Sequence, residues 1–277
     1  MFSVIKAPNH PVFSVFIPFT RLWVVERFLL SLEAMELDKP NTELIFYNDT
    51  RDEALQKALE EWLQTFGQDF NGAGLYQSGK QLPNEFDVAY RRERICAMKE
   101  NSKTLLSDSS YVFCLEDDTI APPNSFKKLL KLISSDNNLA VVSGVEVGRW
   151  AIPTIGAGEL DSLEDPQRYA TVPYRASGVQ NVDTCGWYCY MTPTALYKAA
   201  HYRQASEVLG PCETYTWDQR RAGYEALIDW ELPCEHILED GTSLIPNENN
   251  DTVIWNKTGS GWIMKDFPVK VILQDKT

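Results

Sequence analysis

Three carboxylates stand in a row at Glu116, Asp117 and Asp118, directly after the apolar run Tyr111-Val-Phe-Cys-Leu115. Anions packed this closely repel one another, and burial adds a desolvation cost. A divalent cation removes both penalties. Magnesium and manganese are hard ions that prefer oxygen ligands and bridge carboxylates to phosphate oxygens. In an extended segment residues i and i+2 face the same way, so Glu116 and Asp118 are expected to point together, with Asp117 turned elsewhere. A solvated acidic turn would carry the same residues. The metal reading is favoured by position: the triplet ends a strand-like run and precedes Pro122-Pro123, which opens a helical pattern.

The elements that must position these groups alternate in type. Val12–Ile17 reads as a buried strand, and Arg21–Glu36 as a helix with Leu22, Val25, Leu29 and Leu32 on one stripe. Glu43–Tyr47 is the next strand, closed by Asn48-Asp49-Thr50, and Arg51–Phe66 the next helix. Asn71–Gly79 is a glycine-containing connection with room for a short strand, followed by a helical stretch over Asp87–Leu106. After the Tyr111–Leu115 strand, Phe126, Leu129, Leu130 and Ile133 keep helical spacing, and Leu139–Ser143 is another strand. Repeated strand–helix units imply an α/β fold with a mostly parallel sheet covered on both faces. Ligands of such sheets sit at the carboxyl ends of the strands, where Asn48-Asp49 and Glu116–Asp118 both fall. The second half is less regular. Gly144–Val182 has no clear period and is expected to wrap one edge of the core. Pro193–Glu207 and Glu213–Ala222 look helical, and Tyr224–Trp230 and Cys234–Leu238 look extended.

Composition narrows the classes. The 277 residues include 44% hydrophobic and 23% charged side chains, enough for a sizeable core. A net charge of −13 weighs mildly against nucleic acid, which calls for a basic field; nucleic acid is retained as a less favoured partner. No segment is long and apolar enough to span a bilayer, and Met1–Pro11 carries no leader-like apolar run. The six cysteines show no CxxC spacing and are read as buried thiols of a cytoplasmic protein, a Cys212–Cys234 bridge or a zinc site being the alternative.

Residues 111–119, Tyr-Val-Phe-Cys-Leu-Glu-Asp-Asp-Thr, resemble the DxD segment of GT-A glycosyltransferases, particularly the large family-2-type group. Those enzymes end a strand in an acidic motif that holds a metal and the donor diphosphate. Here the first acidic position is Glu116 rather than Asp. Further segments follow in the family's order over roughly residues 12–240. Val15–Arg21 resembles the opening strand and its donor-side loop. Tyr47-Asn48-Asp49 resembles the segment whose carboxylate reads the nucleobase, although these residues could equally cap the next helix. Tyr90-Arg91-Arg92-Glu93-Arg94 lies where a basic residue assists the donor phosphates, with Arg91 preferred to Arg94. Asp183–Met191 resembles the glycine-centred segment beside the transferred sugar. There Gly186 would allow close backbone approach and Trp187 could stack on a sugar, unless Trp187 is simply core. Glu213–Tyr224 resembles the late acidic motif that supplies the catalytic base, with Asp218 first choice and Glu213 second. Cys234-Glu235-His236 resembles the segment whose late histidine completes the metal site in several branches of the fold.

The resemblance implies a metal-dependent transferase of the GT-A fold. A nucleotide-sugar half would cover about 1–145 and an acceptor half about 146–240; the tail over 241–277 lies beyond the resemblance and is expected to fold over the donor site as a lid, with Trp255 or Trp262 excluding water. Mn2+ or Mg2+ would be held by Glu116, Asp118 and His236. Asn48, Asp49, Arg91, Asp117, Gly186 and Trp187 would face a UDP- or GDP-sugar, and Asp218 would act as base with inversion. A sugar-nucleotide nucleotidyltransferase is the enzymatic alternative, but Pro18-Phe-Thr-Arg21 lacks the glycine-rich loop such enzymes carry. A non-catalytic nucleotide-sugar-binding module is the other. The acceptor is open among glycan, lipid-linked glycan, protein, small metabolite and modified viral DNA.

Overall fold

The computed structural model of the chain describes residues 2–78, 88–148, 153–205, 209–258 and 261–264, with backbone alone at 88–91, 258 and 261–264. The first half contains strands β1 (Phe2–Lys6), β2 (Phe13–Phe19), β3 (Thr42–Asn48), β4 (Gly72–Gln77), β5 (Tyr111–Leu115), β6 (Thr119–Ile120) and β7 (Leu139–Val145). Helices α1 (Val25–Ala34), α2 (Glu53–Phe66), α3 (Val88–Ser102) and α4 (Ser125–Ile133) alternate with them. The second half is cut into shorter pieces: β8 (Val147–Gly148), β9 (Thr154–Ile155), β10 (Ala157–Leu160), β11 (Arg168–Thr171), β12 (Val179–Asn181), β13 (Thr184–Cys185) and β14 (Cys189–Pro193). Then come α5 (Thr194–Ala199), α6 (Pro211–Arg221), β15 (Glu225–Pro233), β16 (Glu235–Ile237), β17 (Ser243–Leu244), β18 (Ile254–Thr258) and β19 (Gly261–Met264).

Nine strands form the main sheet in the order β1-β4-β3-β2-β5-β14-β7-β15-β12. The run β4-β3-β2-β5 is parallel throughout, and β7 and β15 are parallel to each other. All seven residues of β2 and of β3 are buried, as strands covered on both faces must be. Alternate side chains divide between two cores. Val15, Ile17, Phe19 and Phe46 pack with α1, α2 and α4 through residues such as Phe28, Leu59 and Phe126. Phe16, Tyr47 and Cys114 pack on the other face with Met98 of α3, Tyr197 of α5 and Tyr215 of α6. Because β2, β3 and β5 are parallel and in register, Thr20-Arg21, Asn48-Asp49 and Glu116–Asp118 emerge at one edge.

Several expectations are corrected. The strand β14 runs antiparallel to both β5 and β7, so the sheet is mixed in its centre. Helix α1 starts at Val25 rather than Arg21, because the Arg21 N–H donates to the Asp117 carboxylate instead of entering a helix; Leu22 and Trp23 are left exposed. Helix α2 is capped by Asp52, whose carboxylate accepts from the N–H groups of Ala54 and Leu55. The described residues within 144–182 form short strands: β12 covers the far edge of the main sheet, and β10 and β11 join the antiparallel set β13-β10-β11-β18-β19. Helix α5 ends at Ala199, far short of Glu207. The six cysteines are unpaired. Among the described residues no helix is long and apolar enough to cross a membrane.

Candidate metal and nucleotide site

The acidic triplet is a turn: the Thr119 N–H donates 3.1 Å to the Glu116 carbonyl, and the Glu116 N–H donates 3.0 Å to the carbonyl of Tyr188. Asp117 faces the loop after β2. Its Oδ2 accepts from the N–H groups of Thr20 (2.6 Å) and Arg21 (3.1 Å) and from the Thr20 hydroxyl (3.2 Å), while Oδ1 pairs with the Arg21 guanidinium. The oxygens of Asp117 are engaged within the protein, and it fixes Arg21. The same Nη1 of Arg21 lies 3.2 Å from Asp118 Oδ2. Burial pulls the Arg21 guanidinium down, but Asp117, then Asp118 and Glu116, hold it well above its ordinary value.

A small second sheet delivers the histidine. Strand β6 follows the triplet directly and pairs with β16, setting His236 opposite Thr119, with the Ile237 N–H donating 2.8 Å to the Asp118 carbonyl. His236 Nε2 is 3.2 Å from Asp118 Oδ2. Its Nδ1 is 2.8 Å from both the Val147 carbonyl and Glu146 Oε1, and Glu146 Oε2 accepts 2.6 Å from the Thr119 hydroxyl. Although burial opposes the charge, Glu146 and Asp118 push His236 up to about 10. Burial, and then repulsion from Asp118 and Glu146, push Glu116 up to about 7, with Arg21 and Lys99 acting against them. Lys99 is buried with Nζ 4.4 Å from the Trp187 ring centre and 5.2 Å from those of Phe16 and Tyr190.

The donor set suits a divalent ion. A metal-binding imidazole characteristically offers one nitrogen and hands the other to a carboxylate or carbonyl, as His236 does with Glu146 and Val147. Asp118 Oδ2 and His236 Nε2, 3.2 Å apart and both buried, are the two donors that would hold such an ion. No group of three His, Cys, Asp or Glu donors converges among the described residues.

The other expected residues divide. Asp49 is buried and paired with Arg94, whose guanidinium also donates to the Asp49 carbonyl. Arg94 is thus turned to Asp49; the Arg91 side chain lies outside the described residues. Asn48 Oδ1 accepts from the N–H (2.9 Å) and hydroxyl (2.8 Å) of Thr50, and its Nδ2 donates 2.8 Å to Gln56. Its amide is occupied in shaping the turn. Trp187 is 1% exposed and stacked on Tyr190. A Cβ on Gly186 would lie 2.5 Å from the Tyr188 ring, so the close approach that requires glycine is made by that ring.

Helix α6 separates its two acids. Five residues turn a helix by about 140°, so Glu213 and Asp218 cannot share a face. Asp218 lies under Arg203 in a two-pronged pair, with Nη2 donating 2.9 Å to Oδ1. Glu213 sits in the first turn. Burial raises its pKa, against the pull of helix-start N–H groups and Arg92. That turn abuts the segment carrying Tyr188, because the Cys212 thiol meets the Trp187 N–H and lies in the electrostatic reach of both Glu213 and Glu116. Trp255 packs partly buried against the cluster of Tyr169 and Leu209. The Trp262 side chain lies outside the described residues.

No family model and no curated protein matches the sequence. Solved structures do match. The mannosyltransferase PcManGT from Pyrobaculum calidifontis, in complex with GDP-Man and Mn2+, aligns with a TM-score of 0.53 at 11% identity, covering 80% of this chain and 56% of that one. GalNAc-T7, with UDP, GalNAc and Mn2+, aligns with a TM-score of 0.60 at 12% identity, covering 82% and 43%. The chain has the GT-A fold. It spans about half the length of these two neighbours.

Arg21 and Glu146 are absent from the expected site residues. Arg21 ends the Val15–Arg21 segment, and Glu146 directly follows β7, which runs two residues beyond the expected Leu139–Ser143 strand. The rule that ligands gather at strand ends applied equally to both.

Proposed function

We propose that this protein is a metal-dependent glycosyltransferase that moves a sugar from a UDP- or GDP-sugar to an acceptor hydroxyl. The observation that carries the reading is the Asp118–His236 pair, with the far nitrogen of His236 bound by Glu146, at the strand ends of a GT-A fold. Asp118 and His236 would hold the ion, with Glu116 in the same acidic turn. A bound Mn2+ or Mg2+ supplies positive charge that stabilises the departing diphosphate. Glu146 keeps the imidazole in position, and the Arg94–Asp49 pair faces the base.

Glu213 takes the acceptor proton, which gives inversion at the anomeric carbon. Its half-buried setting and raised pKa suit a base better than the paired Asp218. Six unpaired thiols fit a reducing cytosol. The test is a thermal-shift screen of UDP-, GDP-, CMP- and dTDP-sugars with and without Mn2+, followed by donor hydrolysis. A melting temperature raised by one nucleotide only when Mn2+ is present, with turnover, is expected. Binding without turnover would instead indicate a nucleotide-sugar-binding module.

A further inference from the structure

One cationic nitrogen serves two carboxylates of the triplet. Arg21 Nη1 pairs with Asp117 Oδ1 and lies 3.2 Å from Asp118 Oδ2. That same Asp118 oxygen is 3.2 Å from His236 Nε2. An ion held between Asp118 and His236 would share its carboxylate oxygen with a guanidinium, and like charges at such range repel strongly. The Arg21 backbone is fixed by its own N–H bond to Asp117, whereas its side chain is 27% exposed to solvent. A guanidinium displaced from a carboxylate is matched in shape and charge by a phosphate, which it can grip through two parallel bonds.

We propose that Arg21 is an interlock between metal and donor. Without them it neutralises Asp117 and Asp118. When a divalent ion and a diphosphate enter together, it releases Asp118 and turns to the phosphates while its backbone stays on Asp117. The inference rests on the metal and nucleotide reading above. Its consequence is that Arg21 opposes metal binding in the absence of nucleotide and supports nucleotide binding in the presence of metal, so the two ligands bind with positive coupling.

The test titrates the full chain with Mn2+, following free Mn2+ by electron paramagnetic resonance, for the unaltered protein, Arg21→Gln and Arg21→Met, without nucleotide and with GDP or UDP. Circular dichroism reports folding, and either folded variant decides the matter. Without nucleotide the variants should bind Mn2+ on the order of tenfold more tightly, since a neighbouring cation has gone. At saturating Mn2+ they should bind the nucleoside diphosphate on the order of tenfold more weakly, since a charged phosphate partner has gone. A purely structural Arg21 would weaken both when removed; that result, or an unchanged Mn2+ affinity, overturns the interlock and leaves the metal reading standing. If none of the three proteins binds Mn2+ under any condition, the metal reading fails and takes the interlock with it.

Discussion

The triplet corner and the outer turn of α6 both hold acids beside arginines, yet they are built differently. At the corner, Glu116, Asp117, Asp118 and Glu146 face Arg21 and His236, and carboxylate charge is left in excess. The excess appears in Glu116, pushed up to about 7 by burial and by its acidic neighbours. On α6, Asp218 meets Arg203 one to one in a half-exposed pair. Buried charge without enough counter-charge costs stability, and a fold keeps it where a ligand will complete it. A balanced pair near solvent asks for nothing further. The contrast therefore ranks candidate residues by what their neighbours leave undone.

Removing the central acid should give the largest effect. Asp118→Asn is expected to lower donor turnover by about a thousandfold, the scale of losing a main electrostatic stabiliser of the leaving group. Circular dichroism should stay native, and Mn2+ binding should disappear. Full turnover in this variant would remove the distinction between the two regions.

Glu213→Gln comes next, with an expected loss of about a hundredfold or more, typical of a missing general base. Glu213 also occupies the third position of α6, where its carboxylate reaches back to the Gly210 N–H. Glutamine serves that capping role as well as glutamate does, so this variant separates proton transfer from helix stability. The pH dependence follows from the raised pKa. The base form is needed for turnover, so the rate should climb as pH rises through a value above the ordinary 4.5, and this limb should vanish in Glu213→Gln. The stability sign is opposite: a carboxyl that holds its proton more tightly when folded stabilises the fold at low pH, and that contribution is lost as pH rises through the raised value.

Glu146→Gln should weaken Mn2+ binding by about 10- to 100-fold, the range for losing a carboxylate that orients a metal-bound histidine. Glutamine keeps the size and one acceptor, so a larger fall or loss of fold would indicate that Glu146 chiefly supports the core.

The first half of the fold was legible because parallel strands buried on both faces read as apolar runs, and β2, β3, β5 and β7 are such runs. Strand direction is not written in composition, so the antiparallel β14 was not visible. Strands of two to four residues, such as β10 and β12, are too short to show a period. At the site, the triplet declared itself by charge density. Trp187 did not, because a buried tryptophan and one that stacks on a sugar are the same letter, and only its 1% exposure separates them. Glu213 and Asp218 carry the same side-chain charge on one helix, so residue type alone does not choose between them. The 140° or so between the two positions puts them on different faces.

The smallest effect should come from Asp218→Asn. The Arg203–Asp218 pair joins side chains 37% and 27% exposed, where solvent screens the attraction and two flexible groups lose freedom in meeting. Such pairs contribute roughly 0–1 kcal/mol. The melting temperature should therefore fall by at most a few degrees, and donor turnover should change by less than about threefold if Glu213 is the base. A two-pronged guanidinium also holds Asp218 away from any acceptor, so making it a base would require Arg203 to leave first. Measuring Asp218→Asn beside Glu213→Gln under identical conditions turns the contrast into a single ratio of rates. A ratio inverted from expectation would move the chemistry to the outer turn of α6 and leave Glu213 as the cap of its helix.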